Sequence, residues 1–285
     1  VTPETTVPDP GWYSLPGDSR RYRDWILKIR GTGHAPRVDM HMAVAESCDV
    51  YFYDLARRLT IDRMHEYLSG YGLGKRTRVD TTNERPGVLP STRWKRDAMN
   101  QPWYPGETLS AGIGQGYMLA TPMQLAAATS VLATRGQWRT PRLLRSVAGQ
   151  ELPNEPVETI SAPPAYWEAV HESMRAVVHS ARGTARKIGE GIRYEMASKT
   201  GTSQVIGIAQ NAIYVEADVA ERHRNHGLFI AFAPYEAPTI AVAVIVENGG
   251  GASAASPIAR AVLDAWLVDD TETVSPVSYT HLTLP

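Results

Sequence analysis

Apolar positions recur at helical spacing on either side of a Ser47-Cys48-Asp49 tripeptide: Met40, Ala43 and Val44 before it, then Val50, Phe52, Leu55, Ala56 and Leu59. That period predicts two helical segments flanking the tripeptide. A further helix is predicted over Ile61 to Leu68, stopped by the glycines at 70, 72 and 74. Thr121-Pro122 has the form of an N-cap followed by proline at the first helical position. It opens a helix that should run to about Arg135 and end at Gly136. Another amphipathic helix is predicted for Ala165 to Ser180. Residues 1 to 37, rich in Pro, Gly and Arg, read as an irregular, turn-rich segment, and residues 80 to 117 as a long loop region.

The pattern then changes. Tyr194 to Val205, Gly227 to Ala233 and Thr239 to Glu247 read as strands, the last a run rich in β-branched residues. Residues 253 to 268 should close the chain as a helix with Ile258, Ala261, Val262, Ala265 and Trp266 on one side. Helices, then strands, then a helix predict a central antiparallel sheet flanked by helices, with a helical subregion, in an α+β arrangement. The segment 276–285 reads like a translated sequencing adapter, so 271–285 is set aside as a non-native or disordered tail, leaving 1–270 as one domain.

The 285 residues are 43% hydrophobic and 21% charged, as expected of a packed globular chain. With 29 basic and 30 acidic side chains, there is no electrostatic footprint for nucleic acid. No run of eighteen apolar residues is present. One cysteine, Cys48, excludes an internal disulfide framework.

Two short motifs carry candidate chemistry. One is Ser47-Cys48-Asp49; the other is Lys199-Thr200-Gly201-Thr202, preceded by Tyr194-Glu195-Met196-Ala197-Ser198 on a predicted strand. A Ser-x-x-Lys, a Ser-x-Asn-type motif and Lys-Thr-Gly together form the signature of penicillin-binding proteins and serine β-lactamases. The logic is acyl transfer. A lysine on an edge strand supplies fixed positive charge, threonine hydroxyls bind a carboxylate, and glycine lets a substrate backbone lie close. Each motif alone is common in unrelated proteins, where it is a strand end or a helix cap.

Longer stretches narrow the choice. Asp9-Pro10-Gly11-Trp12, Arg21-Tyr22-Arg23-Asp24-Trp25, Trp103-Tyr104-Pro105-Gly106-Glu107, Gly112-Ile113-Gly114-Gln115-Gly116-Tyr117 and Glu247-Asn248-Gly249-Gly250 are among them. In these the chain resembles the elongation-type class B penicillin-binding proteins, the penicillin-binding protein 2 family. The resemblance runs from about Asp9 to Leu267.

It implies a peptidoglycan D,D-transpeptidase that cross-links stem peptides ending in D-Ala-D-Ala through a serine acyl-enzyme, and that is a target of β-lactams. It also implies the periplasmic face of the inner membrane and, as partner, a glycan polymerase of the elongation complex. Ser47 would relay a proton, Asp49 would hydrogen-bond that network, and Lys199 would stabilise the substrate carboxylate and polarise Ser47. Thr200 and Thr202 would bind the carboxylate, with Gly201 between them, and the Thr202 N–H would form half of an oxyanion hole. The main departure is that the sequence contains no Ser-x-x-Lys. The family places that motif a few tens of residues before Asp-Pro-Gly-Trp, so it is expected ahead of Val1, and these 285 residues by themselves are expected to be inactive.

No cofactor is expected for catalysis. Some relatives hold a zinc ion with two aspartates, a histidine and the cysteine of the Ser-x-Asp motif, which by context would be Asp9, Asp24, His34 and Cys48. The Ile29-Arg30-Gly31-Thr32-Gly33 stretch looks longer here than in those relatives. Two other readings stay open at this point: a serine β-lactamase-like hydrolase, and a non-catalytic penicillin-sensing domain.

Overall fold

The computed structural model describes residues 1–153, 156–206 and 218–268. The tail 271–285, with its adapter-like segment, lies outside the described residues. Nine helices are described: α1 (Leu27–Arg30), α2 (Met40–Glu46), α3 (Asp49–Leu59), α4 (Ile61–Ser69), α5 (Thr92–Met99), α6 (Pro105–Gly112), α7 (Pro122–Ala133), α8 (Pro164–His179) and α9 (Ala252–Leu267). The main sheet has three antiparallel strands, with His226–Ala233 in the centre between Ile240–Val246 and Ala197–Ser203.

The central strand sorts its side chains by alternation, as a pleated strand must. Phe229, Ala231 and Ala233 pack with Ala255, Ala259 and Leu263 of α9. Ile230 and Phe232 face the other way, against Ala133 of α7 and Met174 of α8. The sheet is thus sandwiched, and among the described strands Ala197–Ser203, which carries Lys199-Thr200-Gly201, lies at the edge.

The helical subregion is built by local capping. The Asp39 side chain accepts the Met42 N–H at 2.8 Å and opens α2. In α7 the Thr121 side chain accepts the Gln124 N–H and the Gln124 side chain returns the bond to Thr121. The fully buried Gln124 amide also donates to the carbonyls of Lys75 (2.7 Å) and Pro86 (2.8 Å), pinning the 72–86 loop to the helix.

One expectation is corrected. The 80–117 region contains α5 and α6 rather than loop alone. Ser91 caps α5 by accepting the Trp94 N–H at 3.0 Å. Pro105 sits at the start of α6, whose Glu107 carboxylate accepts the Tyr104 N–H at 2.8 Å. The two helices are joined by an ion pair between the fully buried Lys95 and Glu107.

The expected closing helix forms as α9, and its packing shows which side faces the sheet. The stripe bearing Ile258, Val262 and Trp266 is 48%, 44% and 65% exposed, while Ala255, Ala259 and Leu263 are buried. Both stripes are apolar, and the one with small side chains lets the helix approach the sheet closely. Residues 1–37 are largely irregular as expected, with only short paired strands, the last ending at Val38, and the single turn of α1.

Candidate active site

Ser47 occupies the break between α2 and α3. It is the C-cap of α2 in the left-handed conformation (φ 59°, ψ 51°), uncommon for a residue with a Cβ. The Trp25 indole Nε1–H donates to the Ser47 carbonyl at 2.9 Å and ties this turn down. Asp24, one residue earlier, accepts the Asp49 N–H at 2.7 Å and the Val50 N–H at 3.3 Å, satisfying the first free amides of α3. The Trp25–Asp24 pair therefore fixes both sides of the Ser47 turn.

Across from it, Lys199 Nζ donates to Ser47 Oγ at 2.8 Å and to the Thr200 carbonyl at 3.0 Å. Burial pushes the Lys199 amine down to about 8, with the Asp49 charge acting in the opposite direction. The Asp49 carboxyl is pushed up to about 7, by burial first and then by the neighbouring Asp24 charge. Asp49 acts on the Ser47–Lys199 pair through its charge, which favours the Lys199 ammonium. Gly201 lies opposite Leu228 in the sheet, and a Cβ on it would come within 3.2 Å of the Leu228 Cβ. Thr202 is exposed on the same edge strand.

Beneath the Ser47 turn, Asp9, Asp24, His34 and Cys48 are all buried, and one donor atom from each lies within 4.8 Å of the others. The 29–33 stretch does not carry His34 away: it runs through the end of α1 and the left-handed Gly31 (φ 71°). The His34 Nε2 is 3.2 Å from Asp24 Oδ1 and its Nδ1 is 3.3 Å from Glu46 Oε2. Burial alone would lower the His34 pKa, but these carboxylates outweigh it and raise it. Burial and then the Asp24 and Asp9 charges push the Cys48 thiol far up. The Cys48 Sγ lies 3.6 Å from Asp9 Oδ2.

All the sequence-predicted residues fall in two adjoining clusters, Ser47, Asp49 and Lys199–Thr202 above and the four donors below. Sequence reasoning missed Trp25, Glu46, Arg182 and Thr184 as members of this region. Trp25 is adjacent to Asp24 and Glu46 to Ser47, the signals available; Arg182 and Thr184 are joined only by folding.

A Lys-Thr-Gly edge strand set against a Ser-x-Asp turn is the arrangement of the penicillin-recognising serine enzymes, which comprise penicillin-binding proteins and serine β-lactamases. Within that class, the chain belongs to the penicillin binding protein transpeptidase domain family, whose model matches residues 1–264. It is 40% identical over 283 residues to the peptidoglycan D,D-transpeptidase MrdA of Escherichia coli K12, covering 97% of this chain and 44% of that protein.

Among solved structures it is similar to Pseudomonas aeruginosa PBP2 in complex with WCK 5153, with a TM-score of 0.84 and 44% identity. That match covers 96% of this chain and 58% of the other. It is also similar to Helicobacter pylori PBP2 in its complex with MreC, with a TM-score of 0.77, 32% identity, and coverage of 92% and 44%. The chain thus spans less than half the length of the Escherichia coli relative.

Proposed function

We propose that this chain is part of a peptidoglycan D,D-transpeptidase that cross-links stem peptides through a serine acyl-enzyme, and that β-lactams acylate the same site. The observation that carries the reading is the 2.8 Å contact between Lys199 Nζ and Ser47 Oγ, made across 152 residues of sequence. A relative named for this activity aligns over nearly the whole chain, which supports it.

In this reading the acylated serine and its lysine base come from a Ser-x-x-Lys motif outside these 285 residues. The serine oxygen attacks the carbonyl of the penultimate D-alanine while its proton passes to that lysine. The departing D-alanine amine receives a proton relayed through Ser47 Oγ. The Lys199 ammonium, bonded to that oxygen, favours proton release from it. Lys199, Thr200 and Thr202 hold the terminal carboxylate, and Gly201 leaves room for the substrate backbone against the open strand edge. The Thr202 N–H contributes half of the oxyanion hole. The acceptor amine of a second stem peptide then takes the acyl group.

We further infer that Asp9, Asp24, His34 and Cys48 hold a structural zinc ion. Two carboxylates, an imidazole and a thiol form a donor set suited to zinc. Their mutual electrostatics support it as well, since Asp24 and Asp9 oppose ionisation of Cys48 and a divalent cation would offset that repulsion. Glu46 at His34 Nδ1 is placed to orient the ring. The ion would tie the irregular N-terminal segment to the Ser47 turn.

We assign the domain to residues 1–270 and place the parent at the periplasmic face of the inner membrane, with a glycan polymerase of the elongation machinery as partner. Among the described residues no helix is long and apolar enough to cross a membrane. The activity is tested with a fluorescent penicillin. The full-length parent should keep a labelled band after boiling in denaturant, and the 285-residue chain, with no Ser-x-x-Lys, should not. A parent that stays unlabelled would refute the reading.

A further inference from the structure

We propose that Thr184 is a positioning residue for the substrate carboxylate, acting through Thr200; the proposal rests on the acyl-transfer reading above. Thr184 follows α8 in a strap whose path is fixed by close backbone contact. A Cβ on Gly183 would lie 2.3 Å from the Val177 carbonyl oxygen and 2.5 Å from that of Ala176, so only glycine passes there. The strap is hydrogen-bonded on both sides, by Ala185 N–H to the Val177 carbonyl at 2.9 Å and by Thr184 N–H to the Ala45 carbonyl of α2 at 3.1 Å. Arg182, two residues before Thr184, donates to the His34 carbonyl at 2.7 Å and pairs with Glu46 at 2.7 Å. Thr184 is therefore held by its backbone to the helix that ends at Ser47.

Its side chain reaches the other half of the site. Thr184 Oγ1 lies 2.9 Å from Thr200 Oγ1, and Lys199 Nζ lies 3.4 Å from the same Thr200 oxygen. A threonine hydroxyl has one proton and two lone pairs. The Lys199 ammonium can only donate, so it occupies one lone pair. Either hydroxyl could donate across the Thr184–Thr200 contact; in the arrangement we assign, Thr184 donates to the second lone pair, and the Thr200 proton points away from both donors. Thr200 is thereby set as a donor, the role a carboxylate ligand requires. Without the Thr184 hydroxyl, Thr200 is free to turn its own proton inward. The effect should fall on binding of the carboxylate more than on the chemical step.

The test uses the full-length parent and a β-lactam carrying its free carboxylate, with dissociation and acylation constants separated by saturation kinetics. Thr184→Val should weaken the non-covalent complex on the order of tenfold while changing the acylation constant less. Thr184→Ser should stay within about threefold of the parent, because it restores the hydroxyl. In a Thr200→Val background, Thr184→Val should add nothing, as expected for a residue acting through Thr200.

A β-lactam with an esterified carboxylate should not distinguish Thr184→Val from the parent. If Thr184→Val does not fold, Thr184→Ala carries the same comparison. The proposal is overturned if Thr184→Val matches the parent, if serine fails to restore binding, or if the two valine changes add fully. A parent that binds and is acylated by neither compound would instead overturn the acyl-transfer reading, and this proposal with it.

Discussion

The Asp24 carboxylate accepts the Asp49 N–H at 2.7 Å, so a residue from the irregular N-terminal segment caps the helix that starts two positions after Ser47. His34 lies 3.2 Å from the other oxygen of the same carboxylate. Asp24 thus belongs both to the buried donor cluster and to the frame of the Ser47 turn. Whatever occupies the cluster acts directly on that frame.

That coupling gives the prediction for the metal. Purified parent should carry close to one zinc per chain, and Cys48→Ser should carry much less. Chelation should lower the melting temperature of the parent by several degrees or more and leave Cys48→Ser nearly unmoved. Binding should weaken as pH falls, since the thiolate and imidazole ligands must be deprotonated. Elemental analysis with thermal melts in and out of chelator checks this, and equal zinc in both proteins would remove Cys48 from the ligand set.

The joint between α5 and α6 gives a second prediction. Lys95 is fully buried, pairs with Glu107, and lies over the rings of Tyr104 (4.5 Å), Tyr117 (5.3 Å) and Trp103 (5.8 Å). Removing the negative partner from a buried pair leaves an uncompensated charge, whereas replacing the cation by an apolar side chain of similar shape does not. Glu107→Gln should therefore lower the melting temperature clearly more than Lys95→Met. The reverse order would mean that the aromatic surroundings alone hold the lysine.

Lys199 supplies the pH prediction. Its folded-state pKa is pushed down to about 8 by burial, from an ordinary value of 10.5. Between those values the unfolded chain holds a proton that the folded chain has released, so the contribution of Lys199 to stability rises with pH across that window. Denaturant unfolding of the wild type and Lys199→Met at pH 7.5 and pH 9.5 isolates it. The wild type should gain on the variant as pH rises, and a difference independent of pH would place Lys199 at its ordinary pKa.

Much of this was legible before folding. The helices on either side of Ser47, the Thr121-Pro122 start of α7 and the three long strands each announce themselves by period or cap. The turn-rich 80–117 region hid α5 and α6, because its prolines and glycines outweighed the Ser91 cap and the favourable start at Tyr104-Pro105. On α9 the apolar stripes compete, and only packing against Phe229 and Ala231 decides which is buried.

The motif residues could be named from local sequence and the resemblance, and so could the four donors. Trp25 and Thr184 could not be assigned, because their parts in the site are a bond to the Ser47 carbonyl and one to the Thr200 hydroxyl, which no spacing encodes.

The central claim is that Lys199 and Ser47 work as one catalytic pair, and the second-order rate of acylation by a penicillin in the full-length parent tests it most directly. Lys199→Ala removes one fixed donor from the site while its backbone stays in the edge strand. The account predicts a loss on the order of 10²–10³ in that rate, with a melting temperature close to that of the parent. An unchanged rate would show that Lys199 is only a strand residue and would contradict the account.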